Sequence, residues 1–501
     1  MKHTIALVTL ALLLASSEAL STHGTRMVGF NARSVGRGGT GFGVFDSPSL
    51  MMTNPAGIAF LASPSLDGNF SLMVPDLHFT NTLNSATGET NYFPIAALGY
   101  AAPGKESRWS WGVGAFTQGG MGADFTLQHA LFTDQTGAYV PQEYHSKLAV
   151  MQGGPSVAYA LTPDLAVGVS AHLMYSMLEF RMPYSMEPSM MKGVVNPATG
   201  MTFGDLFSGS PAQGGFGYSE VTASAAMSDL AALGFGAKLG IAWRMNEQFS
   251  FGLSYTSPTT MKYKNGTASM DMTAQMNDAF GRGVQGYLAQ NPGATPQEAQ
   301  AAVMQQFGQL GIDLSQGAEA EYGLEAELSF PQSVGLGTEF RATRNLRLSL
   351  DVEWVDWKNA FDAMTLTLSG GANPNFNRML GNTGSFTAEF PMQWKDEMAI
   401  RVGGEYDATP DLTVRAGYAY GTNPVPQETV FPVFPAIVEN HIMVGGSYRV
   451  VAPLMVHAAF ELALNNAQDA ASHSMVAHEF NNSTSELREN IFHLSVTWLF
   501  E

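Results

Sequence analysis

The chain ends with NIFHLSVTWLFE, residues 490–501, and this stretch decides between two kinds of fold. Its residues alternate between an apolar and a mainly polar row, with Leu499 as the exception. A period of two is typical of a β-strand whose two faces meet different surroundings. The apolar face therefore contacts either a protein core or lipid. The apolar row is Phe492, Leu494, Val496, Trp498 and Phe500, and the polar row is His493, Ser495, Thr497 and Glu501.

The composition favours a surface that is partly out of water. Of 501 residues, 13% are charged, well below the roughly 25% usual for soluble domains. The formal net charge of −19 argues against a nucleic-acid partner, because phosphate contacts need clustered Lys and Arg. The chain has no Cys, which excludes disulfides, thiolate metal sites and a Cys nucleophile.

The N-terminus is typical of a secretory signal peptide. Lys2 and His3 precede an apolar stretch at 5–15, and Ser17 and Ala19 are small residues at the positions that a signal peptidase inspects. We predict a signal peptide over residues 1–19. The apolar stretch is too short to span a bilayer, and no later run of about 18 apolar residues predicts a transmembrane helix.

Long alternating segments follow one another from residue 66 onward. Some are joined by short turns such as Thr162-Pro163-Asp164 and Thr409-Pro410-Asp411, and others by long loops. This asymmetry is typical of outer-membrane barrels, whose short turns face the periplasm and whose long loops face outside. We predict an all-β, transmembrane antiparallel barrel of about 14 strands over residues 66–501. Its long loops are expected at 119–146, 183–219, 262–322 and 421–439.

Aromatic residues near the strand ends favour lipid as the surroundings of the apolar face. Girdles of aromatic side chains are expected at both membrane interfaces of such a barrel. A closed barrel also leaves no backbone N–H or C=O unpaired in hydrocarbon. We therefore assign the row from Phe492 to Phe500 to lipid. The tryptophans concerned are Trp109, Trp111, Trp354, Trp357, Trp394 and Trp498.

One long loop contains a helix signal. Thr295 as N-cap, Pro296 at the first helical position and Glu298 three residues after the cap form a capping box. Ala299, Val303, Phe307 and Leu310 then recur at helical spacing, so we predict a helix over 296–310. It is either a lid over a ligand mouth or packing within the loop.

Residues 20–65 are the candidate plug, because about 14 strands enclose a lumen too wide for side chains to fill. They contain a literal G-x-G-x-x-G at residues 36–41, but neither a preceding strand nor a following helix is evident, so tight backbone packing explains it better than a dinucleotide. Asn54, Pro55, Ala56 and Gly57 come next, with Asn and Pro placed to begin a short helix.

The ordered set of segments resembles FadL-type outer-membrane fatty-acid transporters. The Gly-rich stretch, Asp46 and the Asn54-Pro55-Ala56-Gly57 motif resemble the N-terminal hatch of that family. Other segments that resemble it, in the same order, are GPSVAYALTPDLAVGVSAHLMY (154–175), FGLSYTSPTTMKY (251–263), DVEWVDW (351–357) and WKDEMAIRVGGEYDATPDLTVRAGYAYGTNPVP (394–426). The loops at 183–219 and 265–321 do not obviously match.

The resemblance implies passive uptake of long-chain fatty acids or other hydrophobic compounds, with no cofactor. The ligand would bind among the loops, enter the lumen, shift the hatch and leave sideways where the third strand, here about 109–117, kinks. The kink would fall near Gly119 and Gly120, since paired glycines can break a ladder. We expect a monomer in contact with outer-membrane lipid and lipopolysaccharide, in a Gram-negative outer membrane.

Candidate ligand-binding residues lie around and after this third strand. Apolar and flexible side chains suit variable apolar ligands, and each buried methylene contributes about 0.8 kcal/mol. The alternative is that the group only packs a loop core. The candidates are Phe116, Met121, Phe125, Leu127, Leu131 and Phe132.

Two other functions are alternatives to the transport of hydrophobic compounds. A diffusion porin fits the barrel but not the plug. A barrel phospholipase needs a nucleophile–base pair, and Ser474 beside His473 belongs to no motif of defined chemistry. His129, His145 and His478 are equally isolated, so no catalytic residue and no metal ligand is predicted. Whether the cargo is a fatty acid, an alkane or an aromatic hydrocarbon stays open.

Overall fold

The computed structural model describes residues 24–381 and 384–500, and in that part of the chain fourteen antiparallel strands close into one barrel. The last strand pairs with the first, from Ser65↔Leu499 to Thr80↔Thr484. This pairing means that neither the first nor the last strand is left as an open sheet edge in lipid. The strands are β1 (Ser65–Thr80), β2 (Phe93–Ala102), β3 (Trp109–Leu127), β4 (Gln142–Ala160), β5 (Leu165–Met186), β6 (Val221–Arg244), β7 (Phe249–Thr256 and Thr259–Asp271), β8 (Glu319–Phe330 and Ser333–Arg341), β9 (Leu346–Val355 and Ala363–Ser369), β10 (Phe386–Pro391 and Glu397–Asp407), β11 (Leu412–Gly421), β12 (Asn440–Val451), β13 (Leu454–Asp469) and β14 (Thr484–Leu499).

The C-terminal row faces outward, as the sequence predicts. Phe492 is 54% exposed and Trp498 is 43% exposed, whereas His493 and Thr497 are buried on the lumen side. The same alternation of exposed apolar and buried residues runs along the neighbouring strands. The outer wall of the barrel is therefore the apolar band that meets lipid.

The two ends of the barrel differ in the length of their connections. The short turns at 161–164, 342–345 and 408–411 lie at one end, which is the periplasmic end of an outer-membrane barrel. Three predicted loop boundaries are wrong, because the strands extend further than their alternation showed: the loops run over 128–141, 187–220 and 272–318. Because β11 includes Gly421, the loop predicted at 421–439 runs over 422–439, and loops at 370–385 and 470–483 were not predicted.

The longest loop carries two helices that pack against each other. The predicted helix is confirmed as Pro296–Gln309, with the Thr295–Glu298 capping box formed and Ala299, Val303 and Phe307 buried. Its partner Thr273–Gln290 was not predicted, because its apolar residues are interrupted by glycines. In chain order the α-helices are α1 (Ala32–Gly36), α2 (Leu50–Thr53), α3 (Phe203–Ser208), α4 (Thr273–Gln290), α5 (Pro296–Gln309), α6 (Trp357–Ala360) and α7 (Pro374–Leu380).

Among the described residues, no helix has both the length and the apolar character that crossing a membrane requires. The predicted signal peptide, residues 1–19, lies outside the described residues, as does Glu501.

The predicted aromatic girdle is wrong for two of its six tryptophans. Trp109, Trp111 and Trp498 are exposed on the outer wall, but Trp357 and Trp394 are buried inside the molecule. Their rings lie 5.1 Å apart, centroid to centroid, and Trp357 donates a hydrogen bond through Nε1 to Glu397. They lie within the interruptions of β9 (356–362) and β10 (392–396), where the strand alternation does not hold and the side chains turn inward.

Candidate functional site

Residues 24–64, the described part of the predicted plug, lie within the ring of strands; we call them the plug segment. Its Asn54 forms the N-cap of a 3₁₀ helix, Pro55–Phe60, by accepting a hydrogen bond from Ala56 N–H. The Asn54 amide also donates to the carbonyls of Phe42 and Ile241, both at 2.9 Å. The motif therefore connects one turn of the plug segment to another and to strand β6.

Glycines in the wall allow the plug segment to approach β5 and β6. A Cβ at Gly240 would lie 2.1 Å from the Asn54 Oδ1, and a Cβ at Gly168 would lie 2.4 Å from the Ala56 nitrogen. Gly57, the last residue of the motif, fits against Phe45 in the same way. Any side chain at these positions would displace the short helix from the wall.

The Gly-rich stretch at 36–41 also serves close backbone packing. Gly38 has φ +77° and Gly39 has φ +81°, a conformation that L side chains rarely adopt. Gly38 lies against the backbones of Val402 and Tyr418, and its nitrogen would be 2.0 Å from a Cβ at Gly417. The stretch follows helix α1 and precedes no helix that begins at residue 42, so it lacks the surroundings of a dinucleotide site.

Ion pairs hold the plug segment to the wall at several heights. Arg33 pairs with Asp67 of β1 at 2.7 Å. Arg37 pairs with Asp46 inside the plug segment at 2.6 Å and lies 3.6 Å from Glu405 of β10. Arg26 and Arg401 both bind Glu353, at 2.8 and 2.9 Å. The two guanidinium groups beside Asp46 hold the pKa of that carboxyl well below its usual range.

Strand β3 is irregular at the place where the kink was predicted. Its pairing with β4 shifts by one residue between Thr117 and Gly119, so Gln118 is a β-bulge. Here the plug segment pairs with the strand: Met27 N–H donates to the Gln118 carbonyl, and Gly120 N–H donates to the Thr25 carbonyl, each at 3.1 Å.

Beyond the bulge, β3 no longer pairs with β2. Their ladder covers Ala97↔Phe116 to Ala102↔Trp111 only, and the start of β2, from Phe93, pairs with β1 alone. Glycines lie along this part of β3, including Gly119, Gly120 and Gly122. The barrel wall therefore has a break between β2 and β3, and we call it the wall break.

The predicted third strand was too short, and this changes where the candidate ligand residues lie. Because β3 continues to Leu127, Met121, Phe125 and Leu127 lie on a strand and point into the main apolar core. Phe116 precedes the bulge and packs instead with Leu50, Met51 and Met52 of the plug segment. Leu131 and Phe132 lie in the loop that follows, half-buried and outside that core.

The upper lumen is filled by an apolar core to which an inward-folding loop contributes. Phe431, Val433 and Phe434, from the loop at 422–439, are buried in it, and Ser146 donates a hydrogen bond to the Val433 carbonyl. Phe431 contacts Phe480 of the last loop at 5.9 Å between ring centroids. These residues were missed, although the apolar run 430–438 in a predicted loop was a usable signal.

A cleft of about 250 Å³ opens among the helices of the longest loop. It is lined mainly by apolar side chains, including Met276 and Phe280 from α4, Met304 from α5, and Ile312 and Leu314. A larger cavity of about 650 Å³ lies at the short-turn end, where Arg244, Arg341 and Arg347 make it polar. Of these two cavities, the loop cleft is the one that suits an apolar ligand.

Glu479 is a buried carboxyl under the loops, next to the residues of the predicted ligand group. Burial raises the pKa of Glu479 to about 8, although Tyr144 donates it a hydrogen bond at 2.7 Å. The His129 Nε2 lies 3.9 Å from the same carboxyl, and burial lowers the pKa of His129 to about 4. Both groups are therefore neutral near pH 6, and the contact is not an ion pair.

The isolated histidines do not form a catalytic relay. His478 contacts Ser219 and Glu220, but it does so with one nitrogen: Nδ1 lies 3.1 Å from the Ser219 Oγ and 3.8 Å from the Glu220 carboxylate. A nucleophile–base–acid relay uses both ring nitrogens. Ser474 accepts a hydrogen bond from Val476 N–H, and His145 contacts Asp124. Within residues 24–381 and 384–500, no group of His, Asp and Glu has the arrangement of a metal site.

Solved structures share this architecture. The toluene transporter TodX of Pseudomonas putida superposes with a TM-score of 0.66 at 17% identity, covering 96% of this chain and 100% of that one. A FadL homologue of Pseudomonas aeruginosa gives 0.64 at 16% identity, with 97% and 100% covered. The toluene transporter TbuX of Ralstonia pickettii gives 0.60 at 15% identity, with 94% and 99% covered.

No curated protein sequence matches the chain. The family model described as outer membrane protein transport protein (OMPP1/FadL/TodX) matches residues 12–500. That match covers the plug segment and all fourteen strands. The chain belongs to this family of outer-membrane transport proteins.

Proposed function

We propose that the protein is a passive channel that takes hydrophobic compounds, fatty acids or hydrocarbons, from its loop end and releases them sideways through the wall break. The wall break is the observation that carries this proposal. An apolar molecule gains about 0.8 kcal/mol for each methylene that it buries, so an exit into lipid is favourable where an exit into water is not. Structures with the same fold are named as toluene transporters, which supports an apolar cargo.

The route follows from the order of apolar surfaces along the barrel. The loop cleft at Met276 and Met304 would capture the ligand first. The core containing Met121 and Phe125 is closed in this structure, so the ligand must displace side chains to enter. Because the plug segment pairs with β3 at Gln118, its movement and the shape of the wall break are coupled. One barrel holds every part of this route, so we propose a functional monomer within lipid and lipopolysaccharide.

Uptake and swelling assays together test the proposal. Cells that lack their own transporter would be given this protein and supplied with radiolabelled toluene and dodecane. We expect faster uptake than with an empty vector. In a second assay, liposomes that contain the purified protein should not swell in arabinose. Rapid swelling without hydrocarbon uptake would identify a diffusion porin and contradict the proposal.

We also propose that the protein is not an enzyme. Its family consists of transport proteins, and His478, which contacts Ser219 and Glu220 through one nitrogen, lacks the relay geometry. We expect no fatty acid to be released from phospholipid vesicles by the purified protein. Lipid hydrolysis that disappears in Ser474→Ala would contradict this.

A further inference from the structure

A carboxyl without a partner lies directly behind the wall break. Glu489 on β14 is fully buried, and neither of its oxygens has a hydrogen-bond partner among the described residues. It lines a small void of about 10 Å³ together with Leu77, Met121 and Leu487, and with Pro435 of the inward loop. We call this void the exit chamber. Apart from Glu489 its lining is apolar side chain and backbone.

The groups nearest to Glu489 would not neutralise the negative charge of an anionic ligand. Glu489 pairs with Ala463 of β13, and Glu461 of β13 pairs with Ile491, so the two glutamates are diagonal neighbours on one face of the sheet. His441 lies 3.2 Å from Glu461, and His493 lies 3.3 Å from it. The second nitrogen of His493 contacts Ser71 at 2.7 Å. Both imidazoles therefore contact the Glu461 carboxylate.

Lys147 lies opposite Gly122, which lines the exit chamber, but it pairs with Glu179 at 3.6 Å. Cations deeper in the lumen are engaged elsewhere. Arg26 and Arg401 share Glu353, and Lys238 donates to Thr256 Oγ1 at 2.5 Å. Lys238 is on β6, across the barrel from β14. An anion in the exit chamber would thus lose its hydration without gaining a cation, which is costly in an apolar enclosure.

Glu489 disfavours anions in either protonation state. An ionised Glu489 repels a carboxylate, and a protonated one offers a single hydroxyl and no positive charge. An uncharged hydroxyl can both donate to and accept from this carboxyl, and a hydrocarbon needs no polar partner. The lining of the exit chamber therefore discriminates between ligands by their charge and not by their chain length.

We propose that Glu489 makes the exit chamber selective for uncharged hydrophobic molecules, such as hydrocarbons and long-chain alcohols, over ionised carboxylates of the same chain length. This inference rests on the proposed channel function. It specifies the charge of the preferred substrate, which the proposed route through the barrel does not decide.

Three ligands of equal chain length test the proposal: dodecane, 1-dodecanol and dodecanoate, each radiolabelled and supplied to cells at neutral pH, where a free carboxyl is ionised. With the wild-type protein we expect uptake of the first two above the empty vector, and none of dodecanoate. Glu489→Leu should lower 1-dodecanol uptake about tenfold, the effect of one buried hydrogen bond, and leave dodecane unchanged. Glu489→Lys, which supplies at this position the positive charge that the exit chamber lacks, should admit dodecanoate.

Glu486→Lys is the matched control, because Glu486 lies on the same strand and hydrogen-bonds Asn465 on the exposed surface. It should behave as wild type, and the gel mobility of unheated samples would show that each variant is folded. Wild-type uptake of dodecanoate as fast as 1-dodecanol, or uptake of dodecanoate that requires Lys238 and ignores Glu489, would overturn the inference but not the channel. Failure of all three ligands to enter would overturn the channel function itself.

Discussion

Asn54 makes three hydrogen bonds, two within the plug segment and one to the wall at Ile241, so we predict a local effect when it is replaced. Asn54→Ala removes the cap of the 3₁₀ helix and leaves the carbonyls of Phe42 and Ile241 without this donor. Local opening of residues 54–60 should become easier by about 1–3 kcal/mol. Amide hydrogen exchange of that segment measures this.

Asn465→Ala is the control for this prediction. Its side chain is exposed on β13 and donates to Glu486 only, within the described residues. Exchange in residues 54–60 should be unchanged in that variant. Equal exchange in Asn54→Ala and wild type would show that the motif does not hold the plug segment.

From the raised pKa of Glu479 we predict that the stability of the loop at 470–483 depends on pH. Its pKa is raised from the ordinary 4.5 to about 8, so the folded loop holds a proton that the unfolded chain releases. The stability from this contact is complete below about pH 4.5 and is lost as the pH rises through about 8. We expect the loop at 470–483 to be cleaved faster by an added protease at pH 9 than at pH 6. Glu479→Gln should abolish that difference; a difference that persists would assign it to another group.

At the residue scale, the sequence predicts the surroundings of a side chain where its neighbours along the chain decide them. It does not predict them where contacts with distant residues decide them. Alternation places Phe492 outward and His493 inward correctly, because each strand residue takes its face from its neighbours. Trp357 resembles the interface tryptophans in sequence. It is buried because β9 is interrupted beside it, and no local pattern shows that.

At the scale of the element, the loop helices predict a capture step. Met304 on α5 is 58% exposed and lies at the mouth of the loop cleft. Met304→Glu places a charge there without touching the buried face of the helix. Uptake of dodecane at low concentration should fall about tenfold, as expected when one apolar contact is replaced by a charge, and should recover at high concentration.

Gln305→Glu adds the same charge to the next residue of α5, which is exposed and does not line the cleft. It should leave uptake at low concentration unchanged. If both variants lose uptake equally, the effect is one of surface charge and the cleft is not the capture site.

Strand β3 shows how far a single element can be predicted. Paired glycines indicated an irregularity at Gly119 and Gly120, and the register shift lies beside them. The segment of β3 after the bulge was predicted to be a loop. The bulge moves the inward-facing residues from even-numbered to odd-numbered positions, and this interrupts the alternation that marks a strand. Met121 and Phe125 therefore seemed out of phase with Phe116.

At the scale of the whole molecule, the wall was easier to predict than its contents. Fourteen repeats of one alternating pattern specify a lipid-facing cylinder, so errors at single strands average out. The contents depend on which distant segments meet inside. The loop at 422–439 folds inward to reach Phe480, and Glu489 comes to lie behind β3; neither contact leaves a periodic signal.

The most direct test of the account is the uptake of dodecane by a variant that lacks Gln118. Removing this one residue abolishes the bulge, keeps each later side chain of β3 on its present face, and allows the ladder with β2 to continue across the wall break. Deletion of Gly137, in the loop at 128–141, is the control of equal length. Heat-modified gel mobility shows that both variants are folded. The account predicts background uptake without Gln118 and normal uptake without Gly137. Normal uptake by a folded barrel without Gln118 would contradict it.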